Sequence, residues 1–312
     1  MTAFAFVFPG QGSQSVGMLS AWGDHPAVRS TLDEASAALG ENVAELIANG
    51  PKEALDLTTN TQPVMLTAGI ACYRAWIAEG GAAPAALAGH SLGEYTALVA
   101  AGALSLADAL PLVRLRAQAM QDAVPVGQGG MAAILGLDAE AVRAGCAQAA
   151  TQSGEVVEAV NFNDPKQIVI AGSKAGVEKG CEVLKALGAK RALPLPVSAP
   201  FHSSLMKPAA ERLRERLLSV RIATPQIPVF NNVDVAVQTE ADAIRDALYR
   251  QAFSPVRWVE LVQMLRAQGI THVVECGPGK ALAGMVKRID AELVAINLFD
   301  PASLADVKGQ LA

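Results

Sequence analysis

Ala85-Ala86-Leu87-Ala88-Gly89-His90-Ser91-Leu92-Gly93-Glu94-Tyr95 changes character in its middle. The small and apolar residues after Pro84 read as a short strand, Ala85–Ala88. From Glu94 to about Gly102 the residues predict a helix. Between the two stands G-x-S-x-G, the pattern of a sharp strand-to-helix turn with a serine at its apex. The glycines leave room for such a turn. The serine lands at a helix N-terminus, where unpaired backbone N–H groups and partial positive charge favour an oxyanion. Ser91 is therefore a candidate nucleophile, and strand–turn–helix is the unit of an α/β fold.

The same alternation extends in both directions. Ala3–Phe8 reads as a first strand closed by Pro9-Gly10. Helices are expected at Leu106–Val124 and Ala209–Val220, and a strand at Ile227–Asn231. Thr271–Cys276 reads as another strand, ended by Gly277-Pro278-Gly279 and followed by a helix from Lys280 to about Ile289. The whole reads as α/β. One stretch departs from the pattern. From Gly130 to Ser198 the order is strand (Met131–Leu137), helix (Ala139–Ala149), strand (Val156–Asn161), strand (Gln167–Ala171), helix (Ala175–Leu187), strand (Lys190–Pro196). That β-α-β-β-α-β order is ferredoxin-like. Gly127-Gln128-Gly129-Gly130 before it and the proline-rich Pro194–Pro200 after it mark the two crossings of an insertion. The expected organisation is a large subdomain over 1–127 and 199–312, interrupted by a small one over 128–198.

Composition narrows the classes of function. The chain has 312 residues, 51% apolar and 18% charged, with a net charge of −5. A chain so apolar buries enough surface to fold, which excludes a disordered linker. Mild acidity without a basic run argues against nucleic acid as partner. The longest apolar stretch, about Ala97–Ala107, is broken by Ser105 and is far short of the ~20 residues a bilayer requires, so no membrane role is expected. No Lys or Arg precedes Arg29, so the charged start of a secretory leader is missing. Cys72, Cys146, Cys181 and Cys276 are scattered without a CxxC pair, which fits free thiols in a reducing cytoplasm and offers no metal spacing.

A serine hydroxyl is a weak nucleophile and needs a base. Of four histidines, His25 reads as surface loop, His90 is aimed away from its neighbour Ser91 by the turn, and His272 lies inside a strand. His202, in the loop Pro200-Phe201-His202-Ser203, remains as the candidate base. Phe8-Pro9-Gly10-Gln11-Gly12-Ser13-Gln14 is a glycine-rich loop after the first strand, with neither P-loop nor dinucleotide order. It is expected to bring the Gln11 N–H to the serine, where it joins the Leu92 N–H as an oxyanion hole. Gly277-Pro278-Gly279-Lys280 reads as a structural turn nearby.

Taken together, Gly10–Gln14, Gly89–Tyr95, Arg116, Pro200–Ser203, Asn231-Asn232-Val233 and Glu275–Lys280 make the chain, along nearly its whole length, resemble the malonyl-CoA:acyl carrier protein transacylases of type II fatty acid synthesis. The resemblance implies an α/β-hydrolase-like core that carries the ferredoxin-like insertion. It implies Ser91 as the residue esterified by malonate, His202 as base, and Gln251 as the residue whose carbonyl orients that histidine in place of an acid. Arg116 is then the grip on the malonyl carboxylate, since a guanidinium offers two parallel donors and stays charged. An acetyl group leaves that cation unpaired, at about 2–5 kcal/mol. Phe201 matches malonyl-selective relatives, where a bulky ring crowds an α-methyl branch. The implied substrates are malonyl-CoA and an acidic acyl carrier protein, without a metal or other cofactor. Lys190, Arg191, Lys280, Lys287 and Arg288 are candidates for a basic docking patch. Trans-acting polyketide-synthase acyltransferases and malonate-decarboxylase subunits share the motifs. A simple esterase, or a silent carrier-docking module, stays open on the residues alone.

Overall fold

Phe4–Phe8 (β1) is apolar at every position, so it is stable only where both of its faces are covered. The computed structural model describes residues 2–197 and 199–312 and buries all five of its residues. The other strands are Ala86–Gly89 (β2), Gly129–Leu135 (β3), Val157–Asp164 (β4), Gln167–Ser173 (β5), Arg191–Pro194 (β6), Val229–Phe230 (β7), His272–Cys276 (β8) and Val294–Leu298 (β9). They form two sheets. The first is β7-β2-β1-β8-β9 with every neighbouring pair parallel. Successive β1 side chains point to opposite faces. Phe4 and Phe6 pack edge-on against Trp76 of the helix Thr58–Ala78, and Phe6 and Phe8 against its Tyr73. Ala5 and Val7 belong to the opposite core, with Trp258 and Leu261 of the helix Trp258–Ala267 and Val286 of Ala281–Ile289. Sheet and flanking helices are α/β-hydrolase-like, as the resemblance implied.

The register of this sheet places the site. Phe8 lies opposite Gly89, and Val7 lies opposite Glu275. Three strands therefore end together, and the loops after β1, β2 and β8 share the C-terminal edge where open parallel sheets hold ligands.

The second sheet, β4-β5-β3-β6, is antiparallel throughout, the strand order of a ferredoxin-like unit. Asp138 and Ser173 cap its helices Ala139–Ser153 and Lys174–Ala186 by accepting from Ala141 N and Gly176 N, both at 3.0 Å. One sheet face packs on these helices; Met131, Val160, Val169 and Ala171 cluster apart from them with Leu195, Val197 and Phe201. Strand β4 is stitched to the large subdomain: Phe162 N donates to Val256 O (3.0 Å) and Val256 N to Val160 O (2.8 Å). Ser198, the last residue of the expected insertion, lies outside the described residues.

Several elements differ from the sequence reading. The strand expected over Ile227–Asn231 pairs only through Val229–Phe230, and β9 and the 21-residue helix Thr58–Ala78 come as additions. Among the described residues no helix is long and apolar enough to cross a membrane.

Candidate active site

The turn after β2 is as tight as G-x-S-x-G requires. A Cβ on Gly89 would lie 1.9 Å from the carbonyl carbon of Gly93, and one on Gly93 would lie 2.0 Å from Phe8 O. Only glycine fits at either place. Ser91 itself has φ 52°, a left-handed conformation that strains a non-glycine residue. The helix Gly93–Ala100 starts two residues later. His202, in its own loop, is also left-handed at φ 65°.

Those two strained residues meet. Ser91 Oγ donates to His202 Nε2 at 2.7 Å, and His202 Nδ1–H donates to the backbone carbonyl of Gln251 at 2.9 Å. That second bond fixes the tautomer that leaves Nε2 free to accept a proton. Burial, aided by the charge of Arg116, pushes the imidazole down to about 3, so it is neutral at physiological pH.

Arg116 projects from the helix Leu106–Asp122 into the same place. Its Nη2 donates to Ser91 Oγ (3.2 Å) and Gln251 Oε1 (3.0 Å), and Nη1 donates to Gln62 Oε1 (2.8 Å). Its Nε is buried with no acceptor among the described residues. The Tyr95 ring lies 5.3 Å from the guanidinium carbon. A buried cation with incomplete neutralisation is a receptor for an anion.

These groups line a cleft of about 610 Å³, with Gln11, Met131 and Phe201 among its other walls. The backbone N–H groups of Gln11 and Leu92 make no hydrogen bond among the described residues. Gly10 is pressed onto the turn, since a Cβ there would lie 2.7 Å from His90 O. A Cβ on Gly279 would lie 2.8 Å from the Ser13 side chain, so the Gly277–Lys280 turn packs closely on the Gln11 loop.

Not every expectation about the surroundings holds. The His90 reading does hold: the ring lines the cleft, but its Nε2–H is tied to Asn163 Oδ1 at 2.8 Å and not to Ser91. His25 is not a free surface residue: it packs edge-on against Trp22 and faces Glu79. Of the basic candidates, Lys190 and Arg288 share a separate groove of about 330 Å³ with Lys166 and Asp164, whereas Lys280 lies over the Phe299 ring. The Arg116 partner Gln62 was not singled out from sequence. Nothing local marks it, because its bond spans 54 positions. Asn232 Oδ1 accepts from Ser91 N at 2.8 Å across a still longer separation, and only its place in a quoted motif hinted at a role. Among the described residues no three His, Cys, Asp or Glu side chains gather as metal ligands.

Comparisons with known proteins identify the family. The acyl transferase domain family matches residues 5–292. The malonyl CoA-acyl carrier protein transacylase of Escherichia coli K12 is 54% identical over 306 residues, 98% of each chain. The crystal structure of an acyl-carrier-protein S-malonyltransferase from Burkholderia pseudomallei superposes with a TM-score of 0.97 at 66% identity, covering 99% of this chain and 100% of that one. A malonyl-transacylase solved in complex with its type II PKS acyl-carrier protein gives 0.97 at 48% identity, covering 99% and 100%.

Proposed function

Because the chain belongs to the malonyl CoA-acyl carrier protein transacylases, within the wider acyl transferase family, we propose that it carries malonate from malonyl-CoA to the phosphopantetheine thiol of an acyl carrier protein through an ester on Ser91. The observation that carries this assignment is the meeting of three groups at one atom: Ser91 Oγ lies 2.7 Å from His202 Nε2 and 3.2 Å from Arg116 Nη2. A simple esterase has no use for a buried guanidinium at its nucleophile.

The steps balance with these residues alone. Ser91 Oγ attacks the thioester carbonyl while its proton passes to His202 Nε2, and the resulting oxyanion is held by the Gln11 and Leu92 N–H groups. The C–S bond breaks, and the imidazolium returns the proton to the departing CoA thiolate. In the second half-reaction the carrier thiol gives its proton to His202 and attacks the Ser91 ester, and the serine leaves with that proton. Gln251 acts through its carbonyl on His202 Nδ1–H, and the carboxylate of the malonyl group lies against Arg116. Phe201, half-buried on the cleft wall, narrows the space beside the α-carbon. No cofactor enters these steps. The four free cysteines fit a reducing cytoplasm as the site of reaction. An acidic carrier is expected to approach the groove that holds Lys190 and Arg288, with Arg191 and Lys287 next to them in sequence.

Intact-protein mass spectrometry after mixing with malonyl-CoA tests the assignment. A single malonyl adduct on the wild-type chain, absent from Ser91→Ala, is the expected result. An unmodified wild-type chain, or an adduct that survives in Ser91→Ala, removes the assignment.

A further inference from the structure

Glu94 is buried, ionisable and unused by the steps above. Its Oε2 accepts two hydrogen bonds, from Asn232 N at 2.9 Å and from Gln251 Nε2 at 2.8 Å. Each donor belongs to a residue that straps the site. The Asn232 side chain spans the serine turn: its Nδ2 donates to Gly89 O at 2.7 Å and its Oδ1 accepts from Ser91 N at 2.8 Å. Gln251 spans the rest. Its Nε2 also donates to Ser91 O (2.9 Å), its Oε1 accepts from Arg116 Nη2 (3.0 Å), and its backbone carbonyl accepts from His202 Nδ1–H (2.9 Å). One carboxylate oxygen therefore joins the strap on the nucleophile to the strap on base and cation.

A primary amide can sit in either of two orientations. Turned over, Gln251 would set its NH₂ against the guanidinium, donor to donor, and its oxygen against Ser91 O and the carboxylate. Oε2 of Glu94 is an acceptor whether or not the carboxyl carries a proton on Oε1, so it holds the amide in the productive sense. Burial raises this carboxyl to about 7, which is consistent with an interior group kept for its geometry.

We propose that Glu94 is a positioning residue of the transfer reaction, which locks the Gln251 amide with Oε1 toward Arg116 and so aligns the carboxylate grip with the base over one nucleophile. This rests on the Ser91–His202–Arg116 assignment above. The test is the rate of acyl-enzyme formation on Ser91, read by quenched-flow mass spectrometry with malonyl-CoA and with acetyl-CoA as donors. In Glu94→Gln the amide oxygen still accepts both bonds, and malonyl loading stays within about threefold of wild type. In Glu94→Leu the acceptor is gone, and malonyl loading slows about 30- to 100-fold, the usual effect of removing a partner that orients an active-site ligand. Acetyl loading falls less than about tenfold, because a displaced Arg116 penalises only the diacid; a purely structural role would slow both donors alike. Where Glu94→Leu does not fold, Glu94→Asp withdraws the acceptor by one methylene and is expected to show the same unequal loss. Equal losses for the two donors, a Glu94→Gln as slow as the acceptor-free variant, or an acceptor-free variant as fast as wild type each overturn the proposal. A wild-type chain that takes no malonyl group overturns the transfer assignment and this proposal with it, a result unlike any of the variant patterns.

Discussion

At Arg116 the sequence and the fold pull in different directions, since burying a guanidinium weakens its hold on its own proton and rewards any anion that arrives. Replacing it tests the carboxylate grip. Arg116→Ala is expected to lower kcat/KM for malonyl transfer by about 30-fold to several thousandfold, from the ~2–5 kcal/mol of a desolvated charge pair, while acetyl transfer changes far less. Equal losses in a side-by-side assay of both donors would end that idea. Burial moves the titration of His202 well below that of a surface histidine. Its folded pKa of about 3 lies below the unfolded 6.5, so between those values the unfolded chain binds the extra proton and stability is lost as pH falls. Glu94, raised from 4.5 to about 7, works the other way and loses stability as pH rises through that window. The ring resonances of His202 should therefore not move between pH 5 and 8, and His202→Asn, which tolerates the left-handed backbone, should flatten the acid limb of urea-unfolding stability relative to wild type. An NMR midpoint near 6.5 would show that burial does not act on this ring. Ser91 could be named from sequence because turn chemistry is local, and His202 by elimination among four histidines. Gln62 could not, and Asn232 only as part of the Asn231-Asn232-Val233 motif, because their roles exist in contacts across 54 and 141 positions.

The strand–turn–helix of 86–100 was the most legible element, and the reason is steric. Gly89 and Gly93 each face backbone at about 2 Å from where a Cβ would stand, so the turn dictates its own composition. Gly93→Ala must push the helix Gly93–Ala100 off the end of β1. A loss of roughly 3 kcal/mol or more in chemical denaturation is expected, together with loss of the Ser91 adduct. A variant of wild-type stability would mean that the Phe8 carbonyl yields more readily than its place in a central strand allows. The helix Thr58–Ala78 was illegible for the complementary reason. It is buried on nearly every side, so it carries no polar stripe with a helical period, and Pro63 within its first turns reads as a break. The strand read over Ile227–Asn231 was legible as a strand but not in its length, since only Val229–Phe230 find a pairing partner.

Across the whole molecule, the insertion was readable as an order of elements but not as a wall of the cleft, since strand order says nothing about which sheet face turns toward Ser91. The structure ties the two subdomains with polar contacts along β4. Arg288 Nε donates to Asp164 Oδ2 at 2.6 Å, with the carboxylate side chain only 5% exposed. Arg288→Ala strands that acceptor, and urea titration should record a loss of about 1–3 kcal/mol. No change would mean that water reaches Asp164. The main-chain stitching of Phe162 and Val160 to Val256 has a wider consequence. Excising the insertion would strip Val256 of the partners of both its backbone N–H and its carbonyl and leave the reaction chamber open on one side. Miniaturisation by deletion is thus closed to this architecture. A smaller catalyst would have to be obtained by grafting a substitute sheet whose edge can take over the same backbone pairing.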